Sequence, residues 1–291
     1  MTEIKEYFRI HSIEEHFERL QSCSSPVKVL CGGTDLFLKL PGGSQPDVSL
    51  IDISEVSELS GIERTSSGIR IGAVTKLEDI ATSNLFIDAE KILAYGASQV
   101  GSRQIRNLAS IGGNVCNAAP SADTSAPLLA LDAKVEILSQ QGVRQVLVSE
   151  FFVGPGQTIL NENEVCSAII IPKQPKNSTG VYIKHCVRGA MELALVGVAV
   201  VLWSSGTKLD VRIALSAVAP TPFRVYKAEE MVLSLDELNE ENVQTVGNLA
   251  VQASKPISDV RASAEYRQAM IRKITQRALL QAYKQLQYQQ E

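Results

Sequence analysis

Two pairs of adjacent glycines, Gly32-Gly33 and Gly112-Gly113, stand about eighty residues apart in this chain of 291 residues. Lacking a Cβ, paired glycines let the backbone pass close to another group and point successive amides in one direction. The first pair lies in Lys28-Val29-Leu30-Cys31-Gly32-Gly33-Thr34-Asp35, between an apolar strand and a helix start, where an anion such as a pyrophosphate would find amides and favourable partial charge. The second lies in Ser110-Ile111-Gly112-Gly113-Asn114 and is followed by Asn117, Pro120 and Asp123, which bring hydroxyl, amide and carboxylate partners. Taken singly, each has a plain reading as a tight turn, with Asn117 and Asp123 as local turn formers. Taken together, they suggest one long diphosphate ligand held from two sides. Neither loop is the G-x-G-x-x-G dinucleotide fingerprint, so a Rossmann site is not indicated.

Composition narrows the field further. A net charge of −4 without a long run of Lys and Arg argues against a nucleic-acid surface. The 45% hydrophobic and 21% charged content is that of a soluble globular protein, long enough for two ordinary domains or one large one. Met1 to Ile10 carries Glu3, Lys5, Glu6 and Arg9 and has no apolar signal core. The most apolar stretch, Leu193 to Trp203, is too short to span a bilayer and is flanked by Glu192 and Lys208. A cytoplasmic protein without membrane insertion is expected.

Five cysteines, Cys23, Cys31, Cys116, Cys166 and Cys186, are scattered without a CxxC pair, so no iron–sulfur or zinc site is expected within the chain. They read as buried small hydrophobes. His11, His16 and His185 show no metal-ligand spacing. Glu192 and Asp210 form no paired-carboxylate arrangement, and no Ser-His-Asp or Cys-His set stands out. No catalytic side chain and no metal are therefore assigned.

The chain opens as a β-α-β unit. Ser12 and Glu15 make a capping box, Ile13, Phe17 and Leu20 mark a helical face, and Val27 to Leu30 is a short strand. Thr34 caps a brief helix, Asp35 to Leu40, ended by Pro41, and Ser49 to Ile53 is the next strand. Ile62 to Arg64 and Gly68 to Val74 alternate as paired strands, and Thr75 with Glu78 suggests another capping box. Asp88 to Gln99 reads as a helix, Lys134 to Leu138 and Val143 to Val148 as a hairpin, and Ala168 to Ile171 as an edge strand closed by Pro172. Beyond the proline-bearing segment Pro172 to Gly180, the strands Val181 to Val187, Ala194 to Leu202 and Leu209 to Val218 suggest a three-stranded antiparallel sheet, with turns at Arg188-Gly189 and Ser204-Ser205-Gly206. A helix over Ser263 to Gln287 keeps Ile271, Ile274, Ala278, Ala282 and Leu286 on one stripe.

With Arg103-Gln104-Ile105-Arg106-Asn107 ahead of the second loop and Ala130-Leu131-Asp132-Ala133 behind it, the two loops resemble the FAD-binding subunits of molybdenum hydroxylases, those of bacterial xanthine dehydrogenases above all. The resemblance runs on through Phe152-x-Gly154-Pro155-Gly156, Tyr182-x-Lys184, Arg188, Met191-Glu192 and Ala219-Pro220-Thr221-Pro222. It implies an α+β fold: a two-part FAD-binding domain of the PCMH or vanillyl-alcohol-oxidase kind over residues 1–176 (parts 1–54 and 55–176), then a smaller domain over 177–291 with a three-stranded antiparallel sheet and helices. It also implies that residues 28–35 and Ser110, Ile111, Gly112, Gly113 and Asn114 clasp the diphosphate, and that Asp123 takes a sugar or ribityl hydroxyl. Cys166 would approach the adenine or flavin, and Lys184 would lie near the isoalloxazine, where a cation favours the reduced ring. A plain alternative for Lys184 is a solvated lysine on an alternating strand. Val100 falls where some relatives carry an aromatic residue beside the flavin. Arg103 and Arg106 read as helix-end or subunit-interface charges.

The family assigns two [2Fe-2S] clusters to a small partner subunit and the molybdopterin to a large one, in a dimer of heterotrimers. Electrons would then pass through FAD to NAD. The alternatives are a nicotinate or carbon monoxide dehydrogenase type of hydroxylase, a free-standing FAD reductase, and a nucleotide-binding scaffold without redox chemistry.

Overall fold

In a computed structural model, the described residues are 3–40, 47–189, 191–205 and 208–290. The opening unit contains β1 (Ile4–Arg9), α1 (Ile13–Ser22), β2 (Val27–Leu30), α2 (Leu36–Lys39) and β3 (Val48–Asp52). Its three strands form a parallel sheet in the order β1-β3-β2, and β3 is buried at every position because it is the central one. Ser12 caps α1 by accepting from the Glu15 amide at 3.3 Å, while Glu15 Oε2 accepts from the His11 amide at 2.9 Å. The second helix is shorter than its sequence suggests: Asp35 is the N-cap residue and Thr34 stays outside it. Pro41 lies outside the described residues.

A second sheet is built from β4 (Ile62–Thr65) and β5 (Gly68–Gly72) and from later strands. Between them come α3 (Leu77–Thr82), a 3-10 turn at Asp88–Glu90, α4 (Lys91–Ser98), α5 (Arg103–Arg106), α6 (Ile111–Cys116) and α7 (Ser125–Ala130). The chain then runs through β6 (Lys134–Ser139), β7 (Gly142–Leu147), α8 (Val148–Phe151), the small hairpin β8 (Phe152–Gly154) and β9 (Gln157–Thr158), and β10 (Val165–Pro172). The order β4-β5-β10-β6-β7 places β10 in the middle. The expected edge strand is thus the central one, hydrogen-bonded antiparallel to both β5 and β6. Its nearly unbroken burial fits that position, and Pro172 only ends the pairing, opposite Gly68. The capping box expected at Thr75 and Glu78 does not form. Thr75 Oγ1 instead exchanges hydrogen bonds with the backbone of Gly61, and Glu78 pairs with Arg103 and Arg106.

The last third holds β11 (Thr179–His185), β12 (Val196–Ser205), β13 (Lys208–Ser216), β14 (Phe223–Arg224), α9 (Tyr226–Leu233), α10 (Glu240–Ala253) and α11 (Ala264–Gln290). The three expected strands pair antiparallel as anticipated, and the two-residue β14 adds a fourth. Gly206, in the expected turn between β12 and β13, lies outside the described residues.

Both faces of this sheet are buried, and alternation along each strand divides them. Tyr182, Ala199, Val201 and Ala214 join the core that contains α4 and α7. Val198, Val200, Leu202, Ile213 and Leu215 join the core beneath α9, α10 and α11. A polar staple reinforces the first contact. Arg212 Nε meets Asp132 Oδ2 at 2.9 Å, Arg212 Nη1 donates to Ala130 O at 3.0 Å, and Arg224 pairs with the same carboxylate. The Arg212 guanidinium also stacks 4.8 Å from the Trp203 ring.

Because Ala199 is fully buried where the sheet meets the α4–α7 layer, Ala199→Leu is expected to destabilise the chain by about 1–3 kcal/mol through overpacking. Urea unfolding followed by Trp203 fluorescence and by far-UV circular dichroism should give one coincident transition. Two separated transitions would show that the halves do not share this core.

Candidate functional site

The two glycine loops converge. They line one cleft of about 550 Å³, within the range of small-molecule sites. Residues 28–35 form one wall, and Ser110, Gly113 and Asn114 form the other, with Val100 and Gly101 at one side. The approach of the loops is a matter of missing side chains. A Cβ on Gly32 would fall 2.1 Å from Leu108 O, and one on Gly112 would fall 2.7 Å from the Ala73 backbone oxygen. Gly33 has φ of +68°, a left-handed conformation that glycine alone adopts without cost. Lys76 Nζ ties the walls from below, donating to Leu108 O at 3.1 Å and lying 3.9 Å from Cys31 Sγ. Lys39 of α2 reaches across and donates to Asn117 Oδ1.

The walls differ in what their amides offer. On the first, the amides of residues 31–35 meet no acceptor among the described residues. On the second, Ile111 N donates to Thr75 O at 3.0 Å, Gly112 N to Ala73 O at 2.8 Å and Asn114 N to Ser110 O at 2.9 Å. Gly113 N donates only to the Ser110 hydroxyl that caps α6, at 3.1 Å, and a hydroxyl can rotate away. A Cβ on Gly113 would meet just that hydroxyl, so the space over this residue belongs to the cleft. Five amides without a protein acceptor on one wall, with the Gly113 amide on the other, suit a diphosphate.

Other expected site residues stand behind the cleft wall. Ile111 and Gly112 are buried and hold α6 against β5. Asp123 is 6% exposed and accepts from Lys184 Nζ at Oδ2 (2.8 Å) and from Tyr182 Oη at Oδ1 (2.9 Å). Lys184 is therefore no solvated strand lysine: its side chain is 5% exposed and donates also to Gln99 O at 3.0 Å, next to Val100. Burial raises the Asp123 carboxyl above the usual carboxylate range, against the pull of Lys184 and Tyr182, and the Tyr182 phenol is pushed well up by burial as well. Cys166, buried on β10, faces Cys116, which lines the cleft; this contact and burial raise its thiol far above the ordinary value.

Arg106 Nη1 donates to Val100 O at 3.3 Å, and Arg103 and Arg106 share the Glu78 carboxylate, so this arginine pair shapes the wall beside Val100. Lys39, Leu193 and Gly156 also border the cleft but are not singled out by sequence. Lys39 and Leu193 carry no motif signal; Gly156 shows only as part of the Phe152-x-Gly154-Pro155-Gly156 likeness.

Residues 2–174 match the family profile of the FAD binding domain in molybdopterin dehydrogenase, and residues 181–282 match the CO dehydrogenase flavoprotein C-terminal domain. The chain is 34% identical over 259 residues to the xanthine dehydrogenase FAD-binding subunit of Escherichia coli O157:H7, covering 88% of each. It is 33% identical over 281 residues to the carbon monoxide dehydrogenase medium chain of Hydrogenophaga pseudoflava, covering 96% of each. A solved structure of carbon monoxide dehydrogenase from Hydrogenophaga pseudoflava, in a form lacking the Mo-pyranopterin moiety of the molybdenum cofactor, aligns with a TM-score of 0.92 at 31% identity. That alignment covers 98% of this chain and 99% of the other.

Two outcomes follow for the bare chain. Gly32→Ala forces a backbone shift and is expected to lose about 1–3 kcal/mol, whereas Gly113→Ala asks only the Ser110 hydroxyl to give by a few tenths of an ångström and should lose less by urea unfolding. Lys184→Met leaves the Asp123 carboxylate buried without its counter-ion, at a cost of about 3–5 kcal/mol near neutral pH. The carboxyl then has a folded pKa still further above its unfolded value, so its protonated form is favoured below the unfolded pKa and the deficit grows as pH rises. Equal deficits at acid and neutral pH would contradict the buried pair.

Proposed function

Since the chain belongs to the family of FAD-binding subunits of molybdenum hydroxylases, we propose that it holds one FAD between its two diglycine loops and relays electrons from the [2Fe-2S] clusters of a small partner subunit to NAD. The observation that carries this reading is the convergence of both loops on one cleft with unsatisfied amides on its first wall.

The residues present fit the cofactor. The amides of residues 31–35 and the Gly113 amide would hold the diphosphate, Ser110 and Asn114 would take ribityl or phosphate oxygens, and Val100 would flank the ring. Cys166 would support the cleft floor through Cys116, and Asp123 and Lys184 would act from behind residues 99–100. Bound there, FAD supplies the conversion between one-electron entry and two-electron exit. The chain's part is to fix the ring, exclude water and set the charge around it; no side chain is needed as nucleophile.

Hydroxylation itself falls to a large molybdopterin-binding subunit, in a cytoplasmic dimer of heterotrimers whose partners choose the substrate. Likeness to the Escherichia coli xanthine dehydrogenase subunit favours xanthine, and hence purine catabolism. Likeness of similar degree to a carbon monoxide dehydrogenase medium chain supports a second reading, a related hydroxylase with another substrate. We place the division between the cofactor domain and the C-terminal domain at residues 176–177. No helix of the described residues is long and apolar enough to cross a membrane.

Gly113→Val adds bulk where only the Ser110 hydroxyl stands near, so the fold should survive while FAD affinity falls at least about tenfold. Flavin absorbance per chain, beside an unchanged circular dichroism spectrum, checks this. Stoichiometric flavin in the variant would count against the two-loop site. Xanthine-dependent NAD reduction by the assembled complex decides the substrate and acceptor.

A further inference from the structure

Asp123 occupies a position that holding a ribityl hydroxyl does not explain. Each of its oxygens accepts from a protein donor, and it does not line the cleft. Yet two of its neighbours connect it to the cleft wall. Lys184, its ion-pair partner, donates to Gln99 O, one residue before Val100. Thr124, its chain neighbour, donates from Oγ1 to Asn114 Oδ1 at 2.5 Å. On the opposite side, Tyr182 and Lys184 line a separate groove of about 760 Å³ that opens to solvent between α4 and α11. The exposed Tyr95 stands over Tyr182 there, ring centroids 6.3 Å apart.

The charged and titratable groups facing Asp123 are few. From β11 come Lys184 and Tyr182, and from α4 comes Tyr95, through Tyr182; Lys91 and Arg277 lie further out along the groove. On β13, Ser216 adds a neutral hydroxyl close to Tyr182.

We infer that Asp123 is the proton-uptake group of the cofactor site, loaded from the groove through Lys184 and Tyr182 when negative charge enters the cleft. This rests on the FAD reading above. A flavin that gains two electrons and one proton carries one extra negative charge, costly in a poorly solvated wall. The compensating step is a protonation alone: Asp123 carboxylate takes one proton from solvent and becomes the acid, no covalent bond to the cofactor changes, and the electrons come from the partner's clusters. Burial raises the carboxyl's affinity for a proton, and a negative charge entering the cleft would raise it further. Against burial, the Lys184 ion pair and then the Tyr182 hydrogen bond favour the ionised form.

The test uses the full chain loaded with FAD, its midpoint potential measured against pH by dithionite titration with mediator dyes. The parent should take up one more proton per two electrons than Asp123→Asn within a window of pH. Its slope there should be steeper by about 30 mV per pH unit, the two-electron equivalent of a tenfold change. Tyr182→Phe should keep the steeper slope but move the window upward by about one pH unit. The double variant should match Asp123→Asn alone, because the tyrosine acts through the carboxylate. Identical slopes in the parent and Asp123→Asn overturn the assignment. Should Asp123→Asn fail to hold flavin, the Tyr182→Phe window still decides, and an unmoved window overturns it. A parent chain that binds no flavin overturns the cofactor reading itself, and the inference with it.

Discussion

Everything in the site depends on two stretches of backbone touching across about eighty residues of sequence. Gly32 rests on the Leu108–Ala109 backbone and Gly112 rests on Ala73, at distances no Cβ could tolerate. The first contact fixes the small parallel sheet against the second loop; the second fixes that loop against β5. The cleft is what remains between them. Its chemistry follows from the same geometry, because a backbone folded this tightly on one wall has no sheet or helix partner for its amides.

Much of this was legible in the sequence, for identifiable reasons. Paired glycines advertise close approach regardless of context, so both loops were visible before their convergence was. Ser12 and Glu15 signalled a helix start because both are local: Ser12 caps the helix, while Glu15 reaches the His11 amide and not that of Ser12. Thr75 and Glu78 carried the same signal and did something else, since Gly61, Arg103 and Arg106 compete for them from distant positions. The central place of β10 was hidden for a similar reason: Pro172 looks like an edge marker, and only pairing with β5 and β6 reveals a middle strand. The Asp123–Lys184–Tyr182 cluster spans about sixty residues, and no periodicity announces a buried ion pair.

That cluster and the Asp132 staple are the polar part of a contact whose apolar part includes two small residues. Ala199 and Ala214 face the α4–α7 layer, while the larger Val200, Ile213 and Leu215 face the C-terminal helices. Small side chains on one face let the sheet come near enough for Tyr182 and Lys184 to reach Asp123. Placement of a buried charge thus depends on the absence of bulk on the two neighbouring strands.

The same sheet gives the molecule a seam in its covalent chain without a seam in its packing. The proline-bearing link after β10 joins two faces that are committed to each other by Ala199, Val201, Ala214 and two arginines. Fragments separated at that link would each carry a bare apolar surface shaped for the other. Cutting the chain there would thus leave two surfaces that fit no partner but each other.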